Sequence, residues 1–497
     1  MTDYKSNALK NTILVFLMSI LGAFLAYLFR ILLARELSVS FYGFFFSAYA
    51  VVNLLIVGRD FGLRNALIKF LPEFKAKKNY AATKGLMIFV AWFHFALTLI
   101  FLAVLWLSSA FVVTHYFNAP ELLTAWRLFL LVFAVSFIEQ IFVFSLQGMQ
   151  YMFLFSIADP MRSGFTLGLA IILIKMGLGV EAPILALLIM YPLVSAIYAI
   201  VSFRKILKPL RGIQPEITGS HAKKYLRFGI FTSMTFAGTL LITQVDTLFL
   251  TYFKTLEDVG IYQIAVPISM LCLYLAYAAS KVMIPLSSEM YAKRETKLLE
   301  EGIRLLQKYL LMAIIPVAMA VMLFPEIPIR IFFGEKYIMA AGALRVLSTG
   351  AVFYSIAVVN EGILMGVGKP QINTKNLFIV SLLNVILCII LIPRFGIIGA
   401  AYSTATSYVI LSLISTYTLN RFMKMRLPWL PWLKILLSSM LFAIFIAFLK
   451  RSLDLPWIAE LTICLGLGLA LYSGMLALLR ELKWKEIRIV LSGLRKL

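Results

Sequence analysis

The chain has 497 residues, of which 62% are hydrophobic and only 14% charged, with a formal net charge of +23. Soluble domains carry about 25% charge, so this composition excludes a water-soluble enzyme and indicates an integral membrane protein. The three cysteines and three histidines are scattered without ligand spacing, so neither a metal site nor triad chemistry is expected.

Apolar windows of about 20 residues predict membrane helices. Fourteen such spans follow one another: 11–34, 42–68, 84–108, 125–147, 159–176, 182–203, 226–252, 259–285, 308–333, 343–366, 376–393, 397–419, 431–450 and 457–479. The first is too long for the core of a signal peptide and reads as a retained helix. Asp159 before Pro160 reads as an N-cap with a first-turn proline at span 5. Pro192, Pro267 and Pro316 fall inside spans 6, 8 and 9, where membrane helices tolerate kinks. "SSEMYAKRETKLLEEGIRLLQKY", after span 8, reads as an amphipathic connector helix on the cytoplasmic face. No soluble domain fits between spans, and the longest polar connections are 204–225 and 286–307.

With the N-terminus placed in the cytoplasm, the cytoplasmic connections collect 32 Lys and Arg residues and the outer ones 10. That asymmetry obeys the positive-inside rule and places both termini in the cytoplasm. The basic charge thus reports orientation and contact with anionic membrane lipids, and nucleic acid is not expected as a partner.

An internal repeat runs through the chain. "FYGFFFSAYAVVN" around Gly43 resembles "DVGIYQIAVPISM" around Gly260, "LQGMQ" at Gly148 resembles "LMGVG" at Gly366, and "IKMGLGVEAPI" at Gly177 resembles "PRFGIIGAAYS" at Gly396. The three separations are 217, 218 and 219 residues. The expected organisation is a six-helix lobe over 1–205, a basic cytoplasmic linker over 206–225, a second six-helix lobe over 226–420, and spans 13 and 14 with a cytoplasmic tail over 421–497. Both lobes begin on the same side, which makes the repeat parallel and places a substrate site between halves.

Four cations lie inside the spans: Arg30, Arg59, Arg64 and Lys281. Each costs at least roughly 2.5–3.5 kcal/mol at mid-bilayer, so each calls for a partner or a cavity. Arg64 follows Gly43 by 21 residues and Lys281 follows Gly260 by 21, which puts a cation at the same point of each lobe. Asp60, Glu139, Asp246 and Glu361 are the acids at comparable depth. They read as gate, ion-pair or ion-coupling residues, and Asp246 as a partner for Arg30. A cationic cavity in apolar surroundings suits an amphiphile carrying phosphate. No nucleotide-binding GxxxxGK[ST] motif, no D-x-D and no catalytic residues are found.

"ELSVSFYGFFFSAYAVVNLLIVGRDFGLRNALIKF", "QVDTLFLTYFKTLEDVGIYQIAVPI", "IPIRIFFGEKYIMAAGALRVLSTG" and "LIPRFGIIGAAYSTATSYVI" resemble segments of the Wzx-like oligosaccharide flippases. These are members of the multidrug/oligosaccharidyl-lipid/polysaccharide (MOP) exporter superfamily. The resemblance implies an all-α fold of 14 transmembrane helices, with two six-helix bundles in a V plus two C-terminal helices. It implies a non-enzymatic transporter in the plasma or inner membrane whose cargo is a polyprenyl- or dolichyl-(pyro)phosphate-linked oligosaccharide. Arg30, Arg59 or Arg64, and Lys281 match cavity cations on helices 1, 2 and 8 of related lipid II flippases. No cofactor is implied beyond a coupling ion, H⁺ or Na⁺, and a monomer working beside glycan-assembly machinery is expected. The alternatives are a multidrug cation antiporter of the same superfamily and, further off, a membrane glycosyltransferase or polymerase.

Overall fold

A computed structural model describes residues 2–423, 428–452 and 457–482; the tail from 483 onward lies outside the described residues. The chain separates into two compact units, Met1–Gly260 and Ile261–Leu497. The division falls after span 7 rather than in the 206–225 linker.

The first unit contains α1 (Thr2–Glu36), α2 (Val39–Asp60), α3 (Leu63–Ala76), α4 (Tyr80–Leu107), α5 (Ser109–His115), α6 (Leu123–Gly148), α7 (Met152–Ser156), α8 (Ala158–Lys175), α9 (Ala182–Ser202) and α10 (Gly219–Phe253). Side-chain caps mark three of these starts. The Ser38 hydroxyl accepts from the Phe41 amide at 3.2 Å, Asn79 Oδ1 from the Ala82 amide at 2.9 Å, and the Thr218 hydroxyl, ahead of α10, from the His221 amide at 3.3 Å. Each satisfies a helix N–H that has no partner within the helix. Asp159 is not the N-cap of α8: it lies inside the first turn, where it pairs with Arg162. Residues 219–225, read as linker, are the first turns of α10, and α10 packs on α2 and α3.

Span 2, expected as one helix over 42–68, is broken. Phe61 (φ 44°) and Gly62 (φ 70°) are consecutive left-handed residues between α2 and α3. The Phe side chain disfavours that region, so the surroundings must hold it there. The backbone of α10 does so. A Cβ on Gly62 would lie 2.0 Å from the Gly229 carbonyl oxygen, and one on Gly229 would lie 2.4 Å from the Phe61 oxygen.

The second unit contains α11 (Leu256–Leu271, whose first five residues belong to the first unit), α12 (Tyr274–Ala292), α13 (Thr296–Leu323), α14 (Glu326–Phe332), α15 (Ala340–Gly366), α16 (Pro370–Met423), α17 (Trp429–Ser452) and α18 (Trp457–Leu478). Span 8 is also bent, by 49° between α11 and α12. The expected connector helix after it is absent: α12 runs to Ala292 and α13 restarts at Thr296, so those residues are the ends of two spans. α16 reverses at Gly396 (φ 55°, ψ −129°) into two arms, 370–395 and 397–423. Asn384 Nδ2 donates to Ser407 Oγ at 3.0 Å and Asn376 Nδ2 to Thr418 Oγ1 at 3.1 Å, which fixes the arms antiparallel. Among the described residues twelve helices are long and apolar enough to cross a membrane, and the bent pair makes a thirteenth. The doubled-back α16 supplies the fourteenth span.

Buried amides brace α13, α15 and α16. Gln307 Nε2 donates to Asn360 Oδ1 at 2.9 Å, and Asn360 Nδ2 donates to Ser415 Oγ and Thr416 Oγ1. Such bonds join membrane helices that gain little from burying carbon against carbon. α17 and α18 pack on α13 through Leu311, Ile315, Phe442, Ile446 and Tyr472. Glu481 then ties the ends together, accepting from Lys434 at 3.0 Å and pairing with Lys308 at 3.1 Å. Burial raises the Glu481 carboxyl, but the hydrogen bonds from both lysines outweigh it and hold the group below the usual carboxylate range.

The repeat has a physical counterpart in these contacts. A Cβ on Gly43 would strike the Leu256 carbonyl oxygen at 1.8 Å, and one on Gly260 would strike the Val39 oxygen at 2.2 Å. Each glycine thus receives the carbonyl four residues before its counterpart. Gly148 ends α6 against the Leu67 oxygen, and Gly366 ends α15 against the Ile284 oxygen, which is the same contact 217–218 residues later.

Candidate functional site

The break in span 2 places charged groups that a continuous helix would have carried past one another. Asp60 closes α2 and Arg64 lies in the first turn of α3. Asp60 Oδ1 accepts from the Arg64 amide at 3.2 Å, and Oδ2 stands 3.9 Å from Arg64 Nε. The Arg64 guanidinium lies between the Phe236 ring of α10, at 4.3 Å, and the Phe144 ring of α6, at 5.0 Å. Its side chain is 20% exposed, whereas Asp60 and its neighbour His94 are buried. Aromatic faces attract a guanidinium without taking up its N–H donors, so this cage holds Arg64 while leaving donors for an anion.

His94 is the residue that sequence reasoning missed. It comes from the middle of α4, and its Nε2 stands 3.5 Å from Asp60 Oδ1. Its Nδ1 is buried without a hydrogen-bond partner. No local spacing links it to Asp60, because the contact is created by the packing of α4 beside the break.

Arg59, expected among the substrate cations, is turned into the first unit. It is fully buried, donating from Nη1 to the Phe133 carbonyl at 2.9 Å and from Nη2 to Ser136 Oγ at 3.2 Å. Its guanidinium lies 4.8 Å from the centre of the Phe133 ring. These contacts clamp α2 to α6. Glu139, fully buried one helical turn beyond Ser136, accepts from Arg162 of α8 at 3.4 Å, and Arg162 also holds Asp159. That is an ion pair joining α6 to α8.

Arg30 is half-buried, with its guanidinium 4.0 Å over the Phe46 ring. Asp246 is buried in α10 and accepts from the Thr247 amide at 2.7 Å. Nearby, α2 and α10 meet through the Ser47 and Thr251 hydroxyls, and Tyr116 Oη donates to the Leu248 carbonyl at 3.0 Å.

In the second unit Lys281 is exposed on α12. Glu361 is half-buried and lines a small pocket with Tyr354, Asn373, Asn376, Leu377 and Ser415. Tyr354 stacks on Tyr408 at 4.2 Å. The three cysteines are free and buried, and no group of three or more metal-ligating side chains occurs among the described residues.

The sequence model for a polysaccharide biosynthesis protein matches residues 8–291, more than half of the chain. The chain belongs to the polysaccharide biosynthesis protein family. A MatE model also matches, over residues 232–390. An uncharacterised membrane protein of Methanocaldococcus jannaschii is 28% identical, over 99% of this chain and all of its own length. The probable low-salt glycan biosynthesis flippase Agl15 of Haloferax volcanii is 23% identical, over 97% of this chain and 99% of its own. Among solved structures, the lipid II flippase MurJ in an inward closed conformation superposes with a TM-score of 0.77 at 18% identity, covering 94% of this chain and 99% of that one. An inward-facing multidrug-resistance MATE transporter gives 0.65 at 18% identity, covering 81% and 94%. The family member is therefore an all-α, multi-pass membrane protein with the MurJ- and MATE-like fold.

Proposed function

We propose that this protein is a flippase of the MOP superfamily that moves a polyprenyl- or dolichyl-(pyro)phosphate-linked oligosaccharide from the cytoplasmic to the outer leaflet, and that Arg30, Arg64 and Lys281 hold its phosphate. The observation that carries the reading is the Arg64 cage, in which a partly exposed guanidinium is steadied by two rings and one carboxylate. The end-to-end similarity to Agl15, described as a glycan flippase, supports the cargo. Arg59 is left out of the proposed binding set because it is fully buried and both of its terminal nitrogens donate to α6. The Lys and Arg asymmetry supports cytoplasmic termini in a plasma or inner membrane. An anionic headgroup leaving a negative-inside cell gains about 2.3 kcal/mol per charge per 100 mV, so export needs no nucleotide. Anionic lipids would sit against the basic cytoplasmic connections.

Exchange for a coupling ion, H⁺ or Na⁺, is a second element of the proposal. It draws on the Glu361 pocket, whose polar lining is carboxylate, amide, hydroxyl and phenol, with the oxygen ligands that hard cations take. The test is flipping of a fluorescent polyprenyl-diphosphate oligosaccharide in proteoliposomes. Arg64→Gln and Lys281→Gln should each slow it by roughly 10-fold or more, the loss of one charge-assisted hydrogen bond being about 1.5–3 kcal/mol. Full activity in both variants, or a gene deletion that leaves no lipid-linked glycan on the cytoplasmic leaflet, overturns the reading. Glu361→Gln should remove any Na⁺ or H⁺ dependence of the rate.

A further inference from the structure

The Asp60–His94 pair, which joins α2 to α4, lies directly behind the proposed phosphate-binding guanidinium. Asp60 is one buried carboxylate between two nitrogen groups: Arg64 Nε at 3.9 Å on one side and His94 Nε2 at 3.5 Å on the other. Arg64 is the cation that faces this carboxylate; Arg59, the preceding residue, also feels its charge but directs both terminal nitrogens to α6. When a phosphate takes the guanidinium, Asp60 stays behind at 5% exposure without its counter-ion. An uncompensated buried charge is strongly destabilising. A proton on the adjacent imidazole, 1% exposed and with Nδ1 unpartnered, removes that cost.

We propose that His94 and Asp60 form a counter-ion relay for Arg64, so that binding of a phosphate-bearing anion at Arg64 is accompanied by uptake of one proton on the pair. The proposal rests on the reading of Arg64 as an anion site, and it makes His94 a positioning residue that acts through Asp60. Charged groups on elements packed against α4 have contacts of their own: Lys75 of α3 donates to the Met149 carbonyl, Glu73 pairs with Lys77, and Arg127 of α6 lies over the Trp106 ring. Arg59 of α2 donates to α6, Lys69 of α3 lies over the Phe228 ring, and Glu139 of α6 is paired with Arg162. His115 of α5 contacts the Thr114 hydroxyl, and Lys84 of α4 itself donates to the Ile213 carbonyl. Asp60 and Arg64 are the charged groups placed to sense the imidazole. Linkage makes the effect reciprocal: if the anion brings a proton, the proton strengthens the anion.

The second unit lacks this arrangement. The position 217 residues after Asp60 is Tyr277, and that after His94 is Leu311. The relay is therefore a property of the first unit alone.

The test uses the full chain in detergent and a citronellyl methyl phosphodiester, a probe whose single acidic group stays ionised across neutral pH. Calorimetry in two buffers of different ionisation enthalpy counts protons. Wild type should take up close to one proton per probe bound at a pH where the free pair is unprotonated. Its affinity should rise toward acid by up to tenfold per pH unit. His94→Gln and Asp60→Asn should both bind with no proton uptake and a flat pH profile, and the glutamine keeps the bulk and donor capacity of the imidazole. Two variants guard against misfolding of either. Wild-type binding without proton uptake, or His94→Gln with uptake unchanged, overturns the relay. The anion-site reading fails separately, through undiminished probe binding by Arg64→Gln.

Discussion

Adding one methyl group at Gly43 should push the protein out of the conformation described above. The Cβ of Gly43→Ala would lie 1.8 Å from the Leu256 carbonyl oxygen and 2.7 Å from the Gly260 nitrogen, both backbone atoms that no rotamer change can move. An ordinary carbon–oxygen contact needs about 3.3–3.6 Å, so α2 and the start of α11 must part by roughly 1.5 Å on that scale. Overpacking of this kind costs about 1–3 kcal/mol. A conformation in which these backbones have already separated bears none of it, so the ratio of the two populations should shift by about 5- to 150-fold. The readout is labelling of Ser47→Cys by a membrane-impermeant thiol reagent, in a background with Cys272, Cys388 and Cys464 replaced by Ala. Ser47 is fully buried beside Thr251, so its labelling rate reports the parted state and should rise by that factor. Adding Gly260→Ala should give less than the product of the two single effects, because one separation relieves both clashes. Gly58→Ala is the control, its Cβ meeting only the Phe101 ring at 3.5 Å. A Gly43→Ala labelling rate equal to that of Gly58→Ala would refute the reasoning.

Arg162→Met should destabilise the detergent-solubilised protein by about 3–5 kcal/mol, because it strands the buried Glu139 carboxylate; the double variant with Glu139→Gln should recover much of that loss, as read by thermal melting. Arg59→Ala should lower stability by about 2–5 kcal/mol through lost packing and α6 contacts, whereas Arg59→Met, which keeps the stem and removes the buried charge, should be far milder and retain flipping. Glu481 sits below the ordinary carboxylate range in the folded chain, so its stabilising effect is full above about pH 4.3, the unfolded value, and is lost as pH falls through the folded value. The acid arm of the melting profile should therefore flatten in Glu481→Gln, and an unchanged arm would remove Glu481 from the account.

The spans were legible because hydrocarbon leaves few ways to satisfy a backbone, and a long apolar run announces its helix. The repeat was legible for a related reason: Gly43, Gly148 and their partners are held to one residue type by backbone contact. What could not be read were the breaks. Phe61 is a poor left-handed residue and carries no turn signature; its conformation is imposed by Gly229, far away in sequence. The same gap hid the site. His94 looked isolated, and Arg59 looked like the deepest candidate for cargo when its depth marks a clamp on α6. The bend between α11 and α12 at Cys272–Leu273 likewise has no glycine, and Pro267 lies several residues ahead of it.

The paired contacts of Gly148 on Leu67 and Gly366 on Ile284 have a mechanical consequence. Where backbone rests on backbone, sliding or rolling is blocked by atoms that cannot rotate aside, so α3 with α6, and α12 with α15, behave as pinned struts. Each strut begins just after a joint, the left-handed pair at Phe61–Gly62 in one case and the 49° bend in the other. Any change of shape must then be concentrated at those two joints, and Arg64 and Lys281 ride on the struts beyond them.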